Sequence, residues 1–164
     1  MKGTAYVHPS LIGTLNEDGT YLARYCHNDG YPSHQIRQLA EALHSYHGGD
    51  AKQLLEEILR EDWSSLAPAD ASAELTTGDR SRFKPSHVVP HAGIGYFYTD
   101  STEDPIDGAL DEDTEIDFEW MYLFTGDQLR VFANDYSQRH WRGHRDYLLY
   151  DLKDIDALDT GAAR

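Results

Sequence analysis

Apolar and polar positions alternate in some stretches of the chain and recur at helical spacing in others. Residues 11–15 and 20–27 are β-prone runs flanking Asn16-Glu17-Asp18-Gly19. The Asp-Gly pair supplies the positive-φ positions of a tight turn, so this spacing predicts a hairpin. In its second strand Tyr21, Ala23, Tyr25 and His27 share one face, and Leu22, Arg24 and Cys26 share the other. From residue 33 to 47 the apolar positions Ile36, Leu39, Ala40, Leu43 and Tyr46 follow three- and four-residue spacing, which predicts a helix with one buried stripe. Pro32 suits its entry and Gly48-Gly49 its end. Asp50 is placed to cap a second helix over 51–60, with Leu54, Leu55, Ile58 and Leu59 inward and Trp63 and Leu66 sealing its end.

The second half reads differently. Residues 67–90 mix Pro, Ser, Thr, Asp and Gly without a period, as a long surface connection would. A short aromatic strand is expected over 94–99, then an acidic loop over 100–113 containing Pro105 and Gly108. Residues 116–124 form the clearest strand, and Thr125-Gly126-Asp127 turns it into a partner over 128–132. Residues 147–150 suit a last strand or a helical turn, and 159–164 a disordered tail. The expected fold is a single α+β domain over 1–158: an antiparallel sheet of two or more hairpins packed against two helices.

Composition narrows the function. The chain has 164 residues, 40% of them hydrophobic, which is enough for one core. Fourteen Lys+Arg against twenty-nine Asp+Glu give −15, and protonating all nine histidines would still leave −6. Such a surface argues against gripping nucleic acid through phosphates or docking on anionic lipid, and favours basic partners. Cys26 stands alone, so it forms no internal disulfide and no thiolate zinc cluster. No apolar run is long enough to span a membrane, and the N-terminus leads into polar residues, so a cytoplasmic protein is expected.

Four places could carry chemistry. The first is the corner from Tyr25 to His34, where His27 could act as acid or base with Asp29 orienting its ring and Tyr31 and His34 beside it. The same residues could equally serve the turn, and Cys26 as a nucleophile would point away from His27. The second is a histidine metal site drawn from His27, His34, His44, His47, His87 and His91 with Asp29, but no metalloenzyme signature accompanies them, and no metal or cofactor is expected. The third is charge: between Lys84 and Arg130 there are eleven carboxylates and no Lys or Arg. Asp100, Glu103, Asp104, Asp107, Asp111, Glu112, Asp113, Glu115, Asp117 and Glu119 fall in its centre, and on ordered backbone they could imitate a row of phosphates. The fourth is the basic and aromatic island around Trp141, Arg142 and Arg145, suited either to clamping a phosphate and stacking a base or to neutralising the acidic tract.

The segment Tyr25-Cys26-His27-Asn28-Asp29-Gly30-Tyr31-Pro32, with Ile12-Gly13 and Asn16-Glu17-Asp18-Gly19-Thr20 before it, resembles a family of small uncharacterised phage and bacterial proteins. There the segment reads close to Tyr-Cys-His-Trp-Asp-Gly-Tyr-Pro. Tyr122-Leu123-Phe124 with Gly126 and Val131 is similar to the family's later hairpin. This chain has Asn28 where Trp is usual and Ile36 near a usual Gly. The resemblance implies a phage or mobile-element setting, in which small acidic proteins disable host machinery such as restriction and CRISPR complexes.

The expectation drawn from all of this is a cytoplasmic protein that binds a basic host protein, a nucleic-acid-binding complex included, through the acidic tract. It would contact neither nucleic acid nor membrane directly. The alternative is a small enzyme or nucleotide-sequestering protein that uses Tyr25, His27, Asp29, Tyr31, His34, Trp141, Arg142 and Arg145. The aromatic run over 94–99 suits either the core or an interface with a second copy, so a homodimer stays open.

Overall fold

A computed structural model describes residues 8–67, 88–91, 93–99, 104–114 and 118–157. The first hairpin forms as expected: β1 (Ser10–Leu15) pairs antiparallel with β2 (Thr20–Cys26). Helix α1 (Pro32–Glu41) follows with Pro32 in its first turn and buries Gln35, Ile36, Leu39 and Ala40. It then runs into a π-helical turn over Ala42–Tyr46. The wider winding shifts the stripe by a residue, so Tyr46, expected inward, is 60% exposed. Gly48 and Gly49 adopt φ of +62° and +81° and end the helix. Asp50 caps α2 (Ala51–Ile58) by accepting from the Gln53 N–H at 3.1 Å. Leu54 and Ile58 are fully buried, whereas Leu55 and Leu59 are only partly so.

Two side chains close the C-terminal end of α2, where carbonyls lack helical partners. The Trp63 indole donates to the Ile58 carbonyl at 2.9 Å. Arg24 donates through Nε to Leu59 O at 2.8 Å and through Nη2 to Arg60 O at 3.2 Å. This arginine is only 6% exposed, and its charge opposes the negative end of the helix dipole while Asp62 sits at 3.4 Å.

The sheet corrects the expected fold class. Among the described residues nine strands form one mixed sheet, not an antiparallel stack of hairpins: β3 (Trp63–Ser65), β4 (Val88–His91), β5 (Gly95–Tyr98), β6 (Ile106–Ala109), β7 (Trp120–Thr125), β8 (Gln128–Asp135) and β9 (His140–Leu148) join the first two in the order β4-β5-β3-β2-β1-β7-β8-β9, with β6 also on β2. β1 pairs parallel with β7, and β2 parallel with β3. Parallel partners some 110 residues apart leave no local trace in sequence, and strands of three or four residues are too short to show alternation. Residues 88–91, expected in a loop, form β4, and 106–109, expected in the acidic loop, form β6. The basic island lies on β9, a strand longer than the 147–150 expected. The aromatic run is β5, inside the sheet between β4 and β3. A 3-10 helix over Tyr150–Ala157 follows. The expected connection over 68–87 and the tail over 159–164 lie outside the described residues.

Alternation along the strands separates two cores. Ile12, Tyr122 and Val131 share one face with Ile36, Leu39, Leu43, Leu54, Ile58 and Trp63, so both helices lie there. Leu11, Ala23, Met121, Leu123, Phe132 and Trp141 form the other core, with Ile106, Leu110 and Phe118 at its margin. The second face is closed by curvature. Leu110 N–H donates to Gly19 O in the β1–β2 turn and Thr114 N–H to Arg139 O in the β8–β9 turn, each at 3.0 Å. Those turns sit at opposite ends of the strands and, in a flat sheet, about 19 Å apart sideways. Four residues of chain reach about 14 Å. The sheet is therefore curled around its second core, and residues 110–114 bridge the opening. Among the described residues no helix is long and apolar enough to cross a membrane.

Candidate functional site

The corner is built on backbone. After β2, the His27 and Asn28 N–H groups donate to Trp63 O and Ser64 O at 2.9 Å each, extending the pairing to β3. The Asn28 side chain donates to the same Ser64 carbonyl at 3.1 Å. Asp29 takes the left-handed conformation at φ 59°, which Asp tolerates better than most residues. Gly30 is needed for close approach: a Cβ there would meet His8 O at 2.2 Å. Its N–H donates to that same carbonyl at 2.8 Å, and the buried Tyr122 hydroxyl donates to Gly30 O at 2.5 Å. Burial pushes the Tyr122 phenol well above its usual range.

Around this turn stand half-buried imidazoles and phenols. His27 and Tyr25 are hydrogen-bonded to each other through Nδ1 and the hydroxyl, so Tyr25, not Asp29, orients the ring. His34 donates through Nδ1 to the Asp29 carbonyl at 3.0 Å, and its ring lies 6.0 Å from that of Tyr31. Tyr31 is also edge-on to His8 at 5.2 Å, and His8 donates through Nδ1 to Glu119 Oε1 at 3.0 Å. His8 had no place in the sequence reading. The parallel pairing of β1 with β7 brings it to Glu119 across 111 residues, and no spacing signal announces that contact. Glu119 thereby belongs to the corner and leaves the acidic row. Cys26 faces the opposite side, buried between Gln35 Nε2 at 3.5 Å and Asn28 O at 3.7 Å. Desolvation pushes its thiol up to about 12, which leaves no thiolate at neutral pH and no nucleophile.

The histidines do not assemble a metal site among the described residues. His44 donates to Leu149 O and His47 to Ala42 O, both at 2.7 Å. His91 donates to Glu57 Oε1 at 3.1 Å. This bond holds the Glu57 carboxyl below its usual range, helped by Arg60. His87 lies outside the described residues.

The acidic tract is partly visible. Asp104 precedes β6, Asp107 stands on it, and Asp111, Glu112 and Asp113 occupy the turn that follows; all five are exposed. Their backbone is fixed by the β6–β2 ladder, by Glu112 N–H to Ala109 O at 3.1 Å, and by buried Thr114, whose hydroxyl donates to Asn134 Oδ1 at 2.9 Å. Asp100, Glu103, Glu115 and Asp117 lie outside the described residues.

The basic island turns its sides apart. Trp141 is 6% exposed and points into the second core, where its indole nitrogen has no partner among the described residues, so it offers no stacking face. Arg142 and Arg145 are exposed, and Arg142 reaches Asp135 at 3.3 Å. Arg139 reaches Asp113 at 3.8 Å, the described ion pair between island and tract. His144 lies edge-on to Trp120 at 5.0 Å, and desolvation, then Arg145 and Arg142, push its pKa down.

No family model, no curated protein and no solved structure matches the chain. Its geometry alone must carry the functional argument.

Proposed function

We propose that the protein works by binding, as a small acidic phage-type protein that engages a basic host protein through the carboxylates around β6. One observation carries the reading: Asp107, Asp111, Glu112 and Asp113 are exposed on a segment that hydrogen bonds hold in place from β6 to Thr114, and exposed Asp104 precedes it. Charges fixed before encounter cost little ordering entropy on binding and steer a basic partner by long-range attraction. The formal charge of −15 extends that field. The test is affinity capture from bacterial lysate by the native chain and by the combined variant Asp107→Asn, Asp111→Asn, Glu112→Gln, Asp113→Asn, at low and high salt. A basic protein held by the native chain at low salt and lost in the variant is expected. Equal capture by the variant, or no capture at low salt, overturns the reading.

A second reading rests on the corner. Two anchored pairs, His8 with Glu119 and Tyr25 with His27, stand at the same end of β1 and β2. An imidazole fixed by a carboxylate or phenol is the usual arrangement for proton transfer near neutral pH. This enzyme or small-ligand alternative predicts that His27→Ala removes turnover or ligand binding while the denaturation midpoint stays close to that of the native chain. An unchanged activity in that variant would sink it.

A further inference from the structure

A cavity of about 140 Å³ opens beside the C-terminal end of α2, lined by Glu57, Arg60, Glu61, Trp63, His91 and Phe97. It lies outside the corner and was not foreseen from the sequence, where His91 figured only as a metal ligand. Its volume is well below the roughly 300–1,000 Å³ of sites that enclose a nucleotide or drug-sized ligand. The occupant must therefore be a compact head group.

The lining selects the charge of that group. Trp63, His91 and Phe97 meet in pairs at 5.9, 5.8 and 6.2 Å between ring centroids, inclined by 63°, 64° and 70°. His91 and Phe97 keep part of their ring surface exposed at the opening, fully buried Trp63 backs them, and ring faces attract cations. Glu57 is already matched by His91 at 3.1 Å and by Arg60 at 3.2 Å. Glu61 has no hydrogen bond or ion pair among the described residues. Arg60 and His91 are thus engaged by Glu57, and the charge left in the lining is the Glu61 carboxylate, which a cation would pair and an anion would oppose.

We infer that this cavity receives the cationic head of a lysine or arginine side chain from the partner, with Glu61 as counter-ion and Trp63, His91 and Phe97 as walls. The inference rests on the reading of a basic partner and gives that partner an anchoring residue. Position supports it. Asp62, next to Glu61, accepts from the Tyr25 N–H at 3.4 Å. The β6–β2 ladder ends with Ile106 opposite Ala23, two residues before Tyr25, and β3 takes over the same edge at Cys26. The acidic row and the rim of the cavity thus border one edge of β2, and one basic surface can reach both.

The test titrates the full ¹⁵N-labelled chain with butylammonium, with methylguanidinium, and with methylurea as the uncharged isostere of the latter. Saturable shifts at the Trp63 indole N–H and the His91 and Phe97 amides are expected with a cation and not with methylurea. The cation that saturates first distinguishes lysine from arginine. Glu61→Gln should weaken this binding about tenfold, and Phe97→Leu should weaken it through loss of a ring face. No saturable shift with either cation, equal binding of methylurea, or unchanged affinity in Glu61→Gln overturns the inference. The titration needs no partner protein. Its failure therefore leaves the acidic-row reading standing, and failure of the lysate capture leaves the titration result intact.

Discussion

The corner at residues 25–35 and the acidic stretch at 104–113 are both dense in polar groups, yet they are built in opposite ways. In the corner, side chains are turned inward onto the chain itself: Asn28 onto Ser64, His34 onto the Asp29 carbonyl, Tyr122 onto Gly30, and the fully buried Gln35 onto Ser10 at 3.3 Å. In the acidic stretch the backbone carries the bonds and the carboxylates face water. Polar density in the first region joins β1, β2, β3, β7 and α1 at one point. In the second, apart from the exposed Asp113–Arg139 pair, it leaves charge uncommitted on a fixed frame, which is what recognition requires.

Gly30→Ala should have the largest effect, and it falls on the corner. A Cβ would sit 2.2 Å from His8 O and 2.7 Å from Ser10 Cβ, so β1 would have to move off the turn and Tyr122 would lose its acceptor. The expected loss is about 3 kcal/mol or more of unfolding free energy, read from denaturant midpoints. A loss below about 1 kcal/mol would show a pliable corner and weaken the structural account of its octapeptide.

Next in size is Arg24→Met, one residue before the corner, at the C-terminal end of α2. The substitution keeps bulk but strips the donors from Leu59 O and Arg60 O and takes the guanidinium away from Asp62. About 2–3 kcal/mol should be lost, with α2 frayed at its end in hydrogen exchange. Protection of the last turn equal to that of the native chain would show that Trp63 alone closes the helix.

Legibility in the sequence follows the range of the interaction. The first hairpin, Asp50 as a cap, Gly48-Gly49 as a stop and the Ile36–Leu43 stripe are set by neighbours within a few residues, and all were readable. The parallel β1–β7 pairing, β6 on β2 and the His8–Glu119 contact join segments far apart in the chain. No local pattern encodes them, and so the sheet was misread as antiparallel. Of the candidate sites, Tyr25 to His34 was found as a cluster but with the wrong partner for His27, because alternation on a strand end gives faces and not hydrogen bonds. Trp141 was read as a surface ring because Arg139, Arg142 and Arg145 around it are polar. β9 buries Trp141 and Tyr147 and exposes the five positions between them, so it carries no alternation to read.

Cys26 makes the inward-turned corner sensitive to pH. Its thiol is raised from an ordinary value of 9.0 to about 12 in the folded chain. Below about pH 9 both folded and unfolded states keep the proton, and the contribution is fully present. Above it the unfolded chain releases the proton first, so stability falls as pH rises toward the folded value. Between about pH 8 and about pH 10 the native chain should lose about 1.4 kcal/mol relative to Cys26→Ala, in which the slope is absent. Parallel pH curves for the two proteins would mean that the thiol is not sealed and that the corner is wetter than its burial indicates.

The smallest effect on folding belongs to the acidic row, and there the smallness is the point. Changing Asp107, Asp111, Glu112 and Asp113 to their amides takes the formal charge from −15 to −11. The ion pair given up, Asp113 with Arg139 at 3.8 Å, has side chains 78% and 58% exposed, so its contribution is under about 1 kcal/mol. Relief of repulsion among the carboxylates works in the opposite direction. Unfolding free energy should stay within about 0.5 kcal/mol of the native value by denaturant titration. A loss beyond about 2 kcal/mol would mean that these carboxylates hold the bridge over the second core, and the contrast between a region spent on folding and a region left for recognition would fail.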